Sequence, residues 1–295
     1  MTQPIFTGIA TALITPFKAT GEIDFDAFGR LIDWQIDSGI DALVVCGTTG
    51  EGPTLTDAEH RSCIQYCVER ANHRVPVIAG TGSNDIAYSI DLSRFSCRVG
   101  ADAMLVVTPY YNKATQKGLV TSFTAIADAS DKPLILYNVP SRTGCNILPE
   151  TYAVLAEHPN IQGIKEANGN ISAIVETCVL TQNKMDMYSV NDDQIVPILS
   201  VVGKGCISVL SNIMPRETVE ITRRWFKGDT AGAAALHLKF QPLISALFCD
   251  VNPIPVKAAM AAIGYCENLL RLPLTPMEEA HQKALMALMA KEGLV

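Results

Sequence analysis

The chain has 295 residues, of which 48% are hydrophobic and 18% are charged, and its formal net charge is −7. This composition excludes a disordered chain, and an acidic balance without a basic stretch argues against a nucleic acid or a membrane surface as partner. The apolar runs are far shorter than the ~20 residues that a membrane-spanning helix needs. Nine scattered cysteines and a start without a signal-peptide pattern predict free thiols in a reducing cytoplasm.

Eight short apolar runs rich in β-branched residues predict eight strands. In chain order they cover residues 9–14, 42–46, 75–79, 103–107, 134–137, 161–165, 185–190 and 206–210. Between them, helical periodicity predicts helices that include residues 24–37, 57–72, 85–99, 116–128 and 171–181. This alternation predicts an α/β fold with a parallel sheet that is covered on both faces.

Eight strand–helix units within about 225 residues favour a closed (β/α)8 TIM barrel. The alternative is an open, doubly wound sheet, which usually carries a Gly-x-Gly-x-x-Gly turn after its first strand. Here the first strand runs into Thr15-Pro16-Phe17 instead. The closed barrel is therefore the predicted fold.

The strand pattern stops after Arg224, and the rest of the chain is rich in Ala, Leu and Met. Residues 229–248, 255–263 and 276–291 predict helices. We therefore expect two regions: a barrel that holds the active site at residues 1–225, and a C-terminal helical appendix at residues 226–295 that packs on it.

Reactive groups of such a barrel lie at the carboxyl ends of its strands, and Lys165 closes the sixth run. Its amine should project into the barrel mouth, where a partly dry site lowers the pKa of lysine and leaves free amine to attack a carbonyl. Tyr137 closes the neighbouring fifth strand, ~5 Å away, so phenol and amine can meet one substrate. Thr48 and Tyr111, at the exits of strands two and four, can relay protons. The alternative for Lys165 is a lysine that snorkels or pairs with Glu166.

Other polar residues at the strand exits have weaker signals. Arg142 can grip a substrate carboxylate, or be an ordinary surface arginine. Gly47 and Gly50 flank the threonines and would let backbone amides approach a small anion, although loop glycines often serve only turn geometry. Asp192 and Asp193 could be metal ligands but more naturally start a helix. The histidines show no metal-ligand spacing, so no metal site is predicted.

Five segments together form a specific pattern. They are Gly47-Thr48-Thr49-Gly50-Glu51, Val107-Thr108-Pro109-Tyr110-Tyr111-Asn112, Tyr137-Asn138-Val139-Pro140-Ser141-Arg142-Thr143-Gly144, Gly163-Ile164-Lys165-Glu166-Ala167 and Asn252-Pro253-Ile254-Pro255-Val256-Lys257. Along its whole length the chain resembles the dihydrodipicolinate synthase family, within the N-acetylneuraminate lyase superfamily of pyruvate-dependent class I aldolases. The adjacent threonines favour this family over the sialic-acid lyases, which typically have serine followed by threonine there.

The resemblance implies that pyruvate condenses with L-aspartate 4-semialdehyde, a step of diaminopimelate and lysine biosynthesis, without a metal or organic cofactor. Lys165 would form the imine with pyruvate, Tyr137 would donate and accept protons, and Thr48 and Tyr111 would complete the relay. Tyr111 would act in the neighbouring subunit's site, which implies a homodimer that usually pairs into a homotetramer. The alternatives are another lyase of this barrel acting on a sugar acid or 2-keto acid, and a barrel without catalytic activity.

The resemblance also assigns binding residues. Arg142 would hold the carboxylate of the semialdehyde, and Thr49 and the backbone of Ile207 would hold the carboxylate of pyruvate. Val190 stands where the family usually has glycine after the seventh-strand serine. If that glycine serves close backbone approach, the valine reshapes the pyruvate pocket.

Lysine-sensitive relatives bind the feedback inhibitor in a cleft at the dimer interface. His60, Asn84 and Tyr110 match positions of that cleft. Tyr88 stands where a glutamate would hold the inhibitor's amine, and Asp57 where a second histidine is often found. We therefore expect weak or absent inhibition by lysine.

Overall fold

The computed structural model describes residues 3–295, in which eight parallel strands close into a barrel. Each strand pairs with the next one along the chain, and the last pairs with the first. The strands are β1 (Gly8–Ala12), β2 (Ala42–Val45), β3 (Val77–Gly80), β4 (Ala103–Val107), β5 (Leu134–Asn138), β6 (Ile161–Glu166), β7 (Asp186–Ser189) and β8 (Gly205–Ser208). The predicted (β/α)8 barrel is confirmed.

Helices alternate with these strands and cover the outside of the barrel. They are α1 (Phe25–Asp37), α2 (Asp57–Ala71), α3 (Ile86–Val99), α4 (Gln116–Asp128), α5 (Pro140–Thr143), α6 (Pro149–Leu155), α7 (Ile171–Thr181), α8 (Ile195–Ser200) and α9 (Pro215–Phe226). Two of these helices begin with side-chain caps. Asp24 accepts a hydrogen bond from the amide of Ala27, and Thr56 with Glu59 forms a capping box before α2.

Three helices form the C-terminal region: α10 (Thr230–Ala246), α11 (Ile254–Ala262) and α12 (Glu279–Lys291). α10 packs on α9 and α12, while α11 contacts α12. The three expected helices are therefore present, with ends shifted by at most three residues. Within residues 3–295, no helix is both long and apolar enough to cross a membrane.

The predicted first and last strands were too long at their carboxyl ends. β1 ends at Ala12 and β8 at Ser208, whereas the apolar runs continue to residues 14 and 210. Ile14 and Leu210 are fully buried outside the strands because the loops at the barrel mouth pack on the core. Hydrophobicity alone therefore cannot mark where the ladder of hydrogen bonds stops.

Alternate residues of each strand face the barrel interior. Tyr137 and Lys165 are register partners across β5 and β6 and face inward, while the next pair, Asn138 and Glu166, faces the helical layer. Tyr188 of β7 is also inward; its ring stacks on Phe6 at 4.2 Å and its hydroxyl donates to the Phe6 carbonyl at 2.9 Å. The interior is thus packed below Lys165, and the amine faces the mouth.

Candidate active site

Lys165 and Tyr137 lie side by side at the carboxyl ends of their strands, as predicted. Lys165 Nζ lies 4.2 Å from the centre of the Tyr137 ring. The two residues are only 4% and 5% exposed, respectively. Gly163, the inward residue before Lys165, has no side chain and so leaves room for Ile135. A Cβ at this position would lie only 3.1 Å from the Ile135 side chain. The arrangement presents an amine and a phenol to one small volume.

Burial lowers the pKa of Lys165 to about 8, and the positive charge of Arg142 acts in the same direction. Cys206 and Asp192 oppose this shift. With that pKa, about a tenth of the amines are uncharged at pH 7, some hundreds of times more than for an ordinary lysine. The amine is therefore available as a nucleophile near neutral pH.

Burial raises the pKa of Tyr137, while the charge of Arg142 and a hydrogen bond with the Thr48 side chain partly oppose that shift. The phenol is protonated at neutral pH and can donate a proton to an oxygen that forms beside Lys165. Thr48 lines the same cavity beside Tyr137, where the expected relay would begin.

Lys165 lines a cavity of 170 Å³ at the barrel mouth, smaller than the ~300 Å³ at the lower end of drug-sized sites. A cavity of this size suits a small acid. Four residues that the family resemblance assigns to substrate binding or to the pyruvate pocket line this cavity: Thr49, Arg142, Val190 and Ile207. The full lining is Ala12, Thr48, Thr49, Tyr137, Val139, Ser141, Arg142, Lys165, Ala167, Val190, Asn191, Ile207, Val209, Phe248 and Asn252.

Asn252 contributes to the cavity from the C-terminal region, and the sequence analysis did not single it out. Its Nδ2 donates to Thr49 Oγ1 at 3.0 Å, and its carbonyl accepts from Arg142 Nη2 at 3.2 Å. One residue thus contacts two of the expected carboxylate-binding side chains. Its position in the Asn-Pro-Ile-Pro-Val-Lys motif was the available signal.

Glu166 does not pair with Lys165, because the two side chains point to opposite faces of β6. Its carboxylate accepts from Asn138 Nδ2 at 3.0 Å, from the Tyr152 hydroxyl at 3.1 Å and from the Asn168 amide at 2.8 Å. Burial raises its pKa to about 7 despite these donors. The pairing alternative for Lys165 is therefore wrong, and Glu166 instead ties the end of β5 and helix α6 to β6.

The Asp192 carboxylate hydrogen-bonds to the loop after β8 and does not cap a helix. Its carboxylate is fully buried and accepts from the amides of Val209 and Leu210 at 3.0 and 2.9 Å. The expectation that it starts the next helix is only partly met. A short 3-10 turn covers Asp192–Gln194 before α8, but the carboxylate makes contacts in the loop after β8. From there it supplies the negative charge that moderates the pKa of Lys165.

Tyr111 has its side chain on the surface of the chain, where it is 91% exposed. Its backbone φ of +70° is in the left-handed region, which is unusual for a bulky residue. The loop after β4 therefore directs this phenol outward, whereas Thr48 contacts Tyr137 within the same chain.

A second cavity, of 320 Å³, adjoins the first, and Thr48 and Tyr137 line both. It also contains Gly47, His60 and Tyr110. His60 Nε2 donates to the Gly80 carbonyl at 2.8 Å, and burial lowers the pKa of this histidine. Its ring is therefore neutral at physiological pH.

The remaining residues of the expected inhibitor cleft lie near this second cavity. The Asn84 carbonyl accepts from Asn112 Nδ2 at 3.0 Å. Asp57 and Tyr88 both line the cavity. Burial is the main cause that raises the pKa of Tyr88 to about 12, and a hydrogen bond to Asp57 adds to the shift. Arg61 Nε binds both oxygens of Asp57 at 2.9 and 3.0 Å. The Asp57 carboxylate is thus already neutralised.

Cys249, Asp250 and His281 form a group that could ligate a metal, with ligand atoms within 4.8 Å of one another. Sequence spacing could not show it, because His281 comes from α12. His281 Nδ1 and Asp250 Oδ1 form a hydrogen bond of 2.9 Å, and the histidine is half exposed. We assign no role to this surface group.

The lowered pKa of Lys165 predicts how the rate of its attack on a carbonyl depends on pH. Because only the uncharged amine attacks a carbonyl, kcat/KM for pyruvate should rise with pH, with a midpoint near pH 8. An unperturbed lysine would place that midpoint at 10.5. Initial rates in a constant-ionic-strength buffer series measure it. A midpoint close to the unperturbed value would show that the amine is not activated.

A (β/α)8 barrel with a buried amine of lowered pKa beside a tyrosine is the arrangement that a Schiff-base-forming lyase of the class I aldolase type needs. Comparison with known proteins agrees. The Dihydrodipicolinate synthetase family matches residues 5–292, and the chain belongs to this family. The family resemblance expected from the motifs is confirmed.

Individual relatives match over nearly their whole length. A 4-hydroxy-tetrahydrodipicolinate synthase from Lachnoclostridium phytofermentans is 52% identical over 292 residues, which cover 99% of each chain. The chloride-inhibited dihydrodipicolinate synthase from Acinetobacter baumannii, complexed with pyruvate, is 39% identical, with a TM-score of 0.96 over 98% of this chain and 99% of that one. The enzyme from Cyanidioschyzon merolae with lysine bound is 37% identical, with a TM-score of 0.96 over 99% of this chain and 100% of that one.

Proposed function

We propose that the chain is a 4-hydroxy-tetrahydrodipicolinate synthase, which condenses pyruvate with L-aspartate 4-semialdehyde through an imine at Lys165. The observation that carries this proposal is the amine 4.2 Å from the Tyr137 ring, inside a cavity sized for a small acid. The similarity to 4-hydroxy-tetrahydrodipicolinate synthases supports the same reaction.

The steps follow from the chemistry of an amine and a ketone. The uncharged Lys165 amine attacks C2 of pyruvate, and Tyr137 donates a proton as the carbinolamine loses water. The imine draws electrons from C3, which loses a proton and attacks the aldehyde carbon of the second substrate. The amino group of that substrate then displaces Lys165 from C2, which closes the ring and frees the enzyme.

The carboxylates of the two substrates need separate partners. We assign the pyruvate carboxylate to Thr49 and the Ile207 backbone, with Gly47 permitting close approach of the loop. Arg142, exposed at the rim, takes the carboxylate of the semialdehyde. Val190 lines the pyruvate end of the cavity, so its methyl groups narrow the space that a glycine would leave.

The exposed Tyr111 supports assembly into at least a homodimer, in which this phenol completes the proton relay of the neighbouring subunit. The family resemblance extends this assembly to a homotetramer. All nine cysteines are free thiols and eight are at least partly buried, which supports a reducing, cytoplasmic location. The reaction needs no metal or organic cofactor, because the lysine imine itself withdraws electrons.

The Tyr111→Phe variant tests the relay. Because the side chain is 91% exposed in the single chain, the variant should keep its melting temperature while kcat falls about 10-fold or more. Steady-state rates and thermal unfolding measure both quantities. Tyr265→Phe, which removes a hydroxyl from the C-terminal region, is the matched control. Unchanged kcat in Tyr111→Phe would remove this residue from the relay.

Added L-lysine should inhibit the enzyme weakly or not at all. Tyr88 offers no charge to an incoming amine, and the Asp57 carboxylate is already bound by Arg61. The measurement is the steady-state rate at increasing L-lysine with both substrates fixed near their KM. Sub-millimolar inhibition would contradict this interpretation of the cleft.

The choice of reaction is tested by comparing substrates on one enzyme preparation. Consumption of pyruvate should depend on L-aspartate 4-semialdehyde, whereas N-acetylneuraminate and keto-deoxy sugar acids should release no pyruvate. Efficient cleavage of a sugar acid together with slow condensation would favour the alternative lyase. Absence of both activities in folded protein would favour a barrel without catalysis.

A further inference from the structure

Glu51 and Lys257 form an ion pair directly behind the threonine loop of the active site. Lys257 Nζ lies 2.5 Å from Glu51 Oε1, and neither side chain has any exposed surface. Glu51 belongs to the loop after β2, while Lys257 is in α11, 206 residues further along the chain. A fully buried pair is a weak source of stability, because desolvation of the two charges offsets their attraction.

Arg271 and Phe17 contact the ion pair. Glu51 Oε2 accepts from the Arg271 amide at 3.0 Å. The Lys257 ammonium lies 3.9 Å above the Phe17 ring, and the Arg271 guanidinium lies 4.4 Å from the same ring. Arg271 also binds Glu59 Oε1 and Oε2 at 2.6 and 2.8 Å. The pair is thus the centre of a network that joins the C-terminal region to the loop after β2.

The backbone of Glu51 has an unusual conformation. Its φ is +53°, in the left-handed region, which a residue with a side chain keeps only when its surroundings enforce it. Its amide donates to the Thr48 carbonyl at 3.1 Å, and its carbonyl accepts from the Thr54 amide at 3.0 Å. A carboxylate anchored on Lys257 therefore holds the turn that presents Thr48 and Thr49.

The start of α11 holds the same loop at a second point. Asn252, just before the helix, donates to Thr49 Oγ1 at 3.0 Å, while Lys257 binds Glu51 one helical turn into it. Two contacts from one element fix both ends of the segment 49–51. Thr48, next to this segment, lines the same two cavities as Tyr137.

We propose that Glu51 and Lys257 are positioning residues: their ion pair sets the threonine loop so that Thr48 meets the Tyr137 hydroxyl and Thr49 faces the pyruvate site. The C-terminal helical region then helps to position active-site residues. This inference rests on the proposed function, since it concerns the proton relay of the imine reaction. Neither side chain faces the cavity that holds Lys165, so neither is a catalytic residue.

Three variants test the proposal: Lys257→Met, Glu51→Gln and the double variant. Each single variant strands a buried partner, so its melting temperature should fall and kcat should fall about 10-fold or more through misplacement of Thr48. KM for L-aspartate 4-semialdehyde, which Arg142 holds, should change less than about 2-fold. The double variant leaves no unpaired charge and should regain much of the lost melting temperature while kcat stays low.

Recovery of stability without recovery of kcat is the result that a purely structural pair would not give. Wild-type kcat in a single variant, or kcat that returns with the melting temperature in the double variant, would overturn the proposal. If the single variants fail to fold, the double variant decides. Lys239→Met, which removes an exposed lysine that pairs with the partly buried Glu292, is the matched control and should keep wild-type kcat. A wild-type enzyme that forms no borohydride-reducible adduct with pyruvate would refute the proposed function itself, and this inference with it.

Discussion

Replacing Lys165 with alanine is expected to lower turnover by at least about 10³-fold, because no other amine among the described residues that line the cavity can form an imine at C2 of pyruvate. The reaction would lose its electron sink as well as its nucleophile, so higher substrate concentration cannot restore the rate. The loss should therefore appear in kcat, and the variant should form no reducible adduct.

The fold should survive this substitution. Lys165 is buried with a lowered pKa, so alanine removes an amine whose charged form is disfavoured there. Circular dichroism and thermal unfolding should resemble wild type. Lys184→Ala, at an exposed pair with Glu157, is the control for removing a lysine and should keep full turnover. Turnover of Lys165→Ala within about 10-fold of wild type would be incompatible with imine catalysis.

The second large effect is expected for Tyr137→Phe. The phenyl ring keeps the packing of the barrel mouth, but the proton donor and the partner of Thr48 are lost. General acid–base catalysis typically contributes 10²- to 10⁴-fold, so kcat should fall by about 10²-fold or more. Formation of the imine should slow, because that step moves a proton to the oxygen on C2 that leaves as water.

Tyr188→Phe is a close match for this experiment. Tyr188 also faces the interior, from β7, and its hydroxyl bonds the Phe6 carbonyl away from the cavity. We expect it to lose about 1 kcal/mol of unfolding free energy and little turnover. Stopped-flow absorbance and denaturant unfolding separate the two effects. Equal loss of kcat in both variants would mean that barrel packing, rather than the Tyr137 hydroxyl, determines the rate.

Much of this architecture was predictable because parallel barrels have strong local signals. Each strand is a short apolar run, and the reactive groups of such a barrel lie at the carboxyl ends of these runs. Lys165 and Tyr137 stood out as polar residues at the ends of adjacent runs, and their adjacency is confirmed by the register of β5 and β6. The alternation of strand residues between two faces also explains why Glu166 is separated from Lys165.

The parts that could not be predicted are contacts between segments far apart in the chain. Asn252 reaches Thr49 across 203 residues, and Lys257 reaches Glu51 across 206. Neither contact has a periodic pattern that marks it. Asp192 was similarly hidden, since an aspartate after a strand is an ordinary helix start, whereas its carboxylate binds amides of the loop after β8.

The roles of the remaining site residues stay predictions. Thr49, Arg142 and Ile207 line the cavity, and their assignment to the two substrate carboxylates is part of the proposed function. The division of the chain at residue 225 is likewise a proposal. The contacts from α11 to the threonine loop argue that the two regions act as one functional unit.

Reduction with borohydride in the presence of pyruvate, followed by peptide mass mapping, tests the central claim most directly. The account predicts one reduced pyruvyl group per chain, attached to Lys165, and none in Lys165→Ala. Lys257, the other fully buried lysine, should remain unmodified because Glu51 holds it. An adduct on Lys257 or on any other lysine, or no adduct at all in active enzyme, would contradict the account.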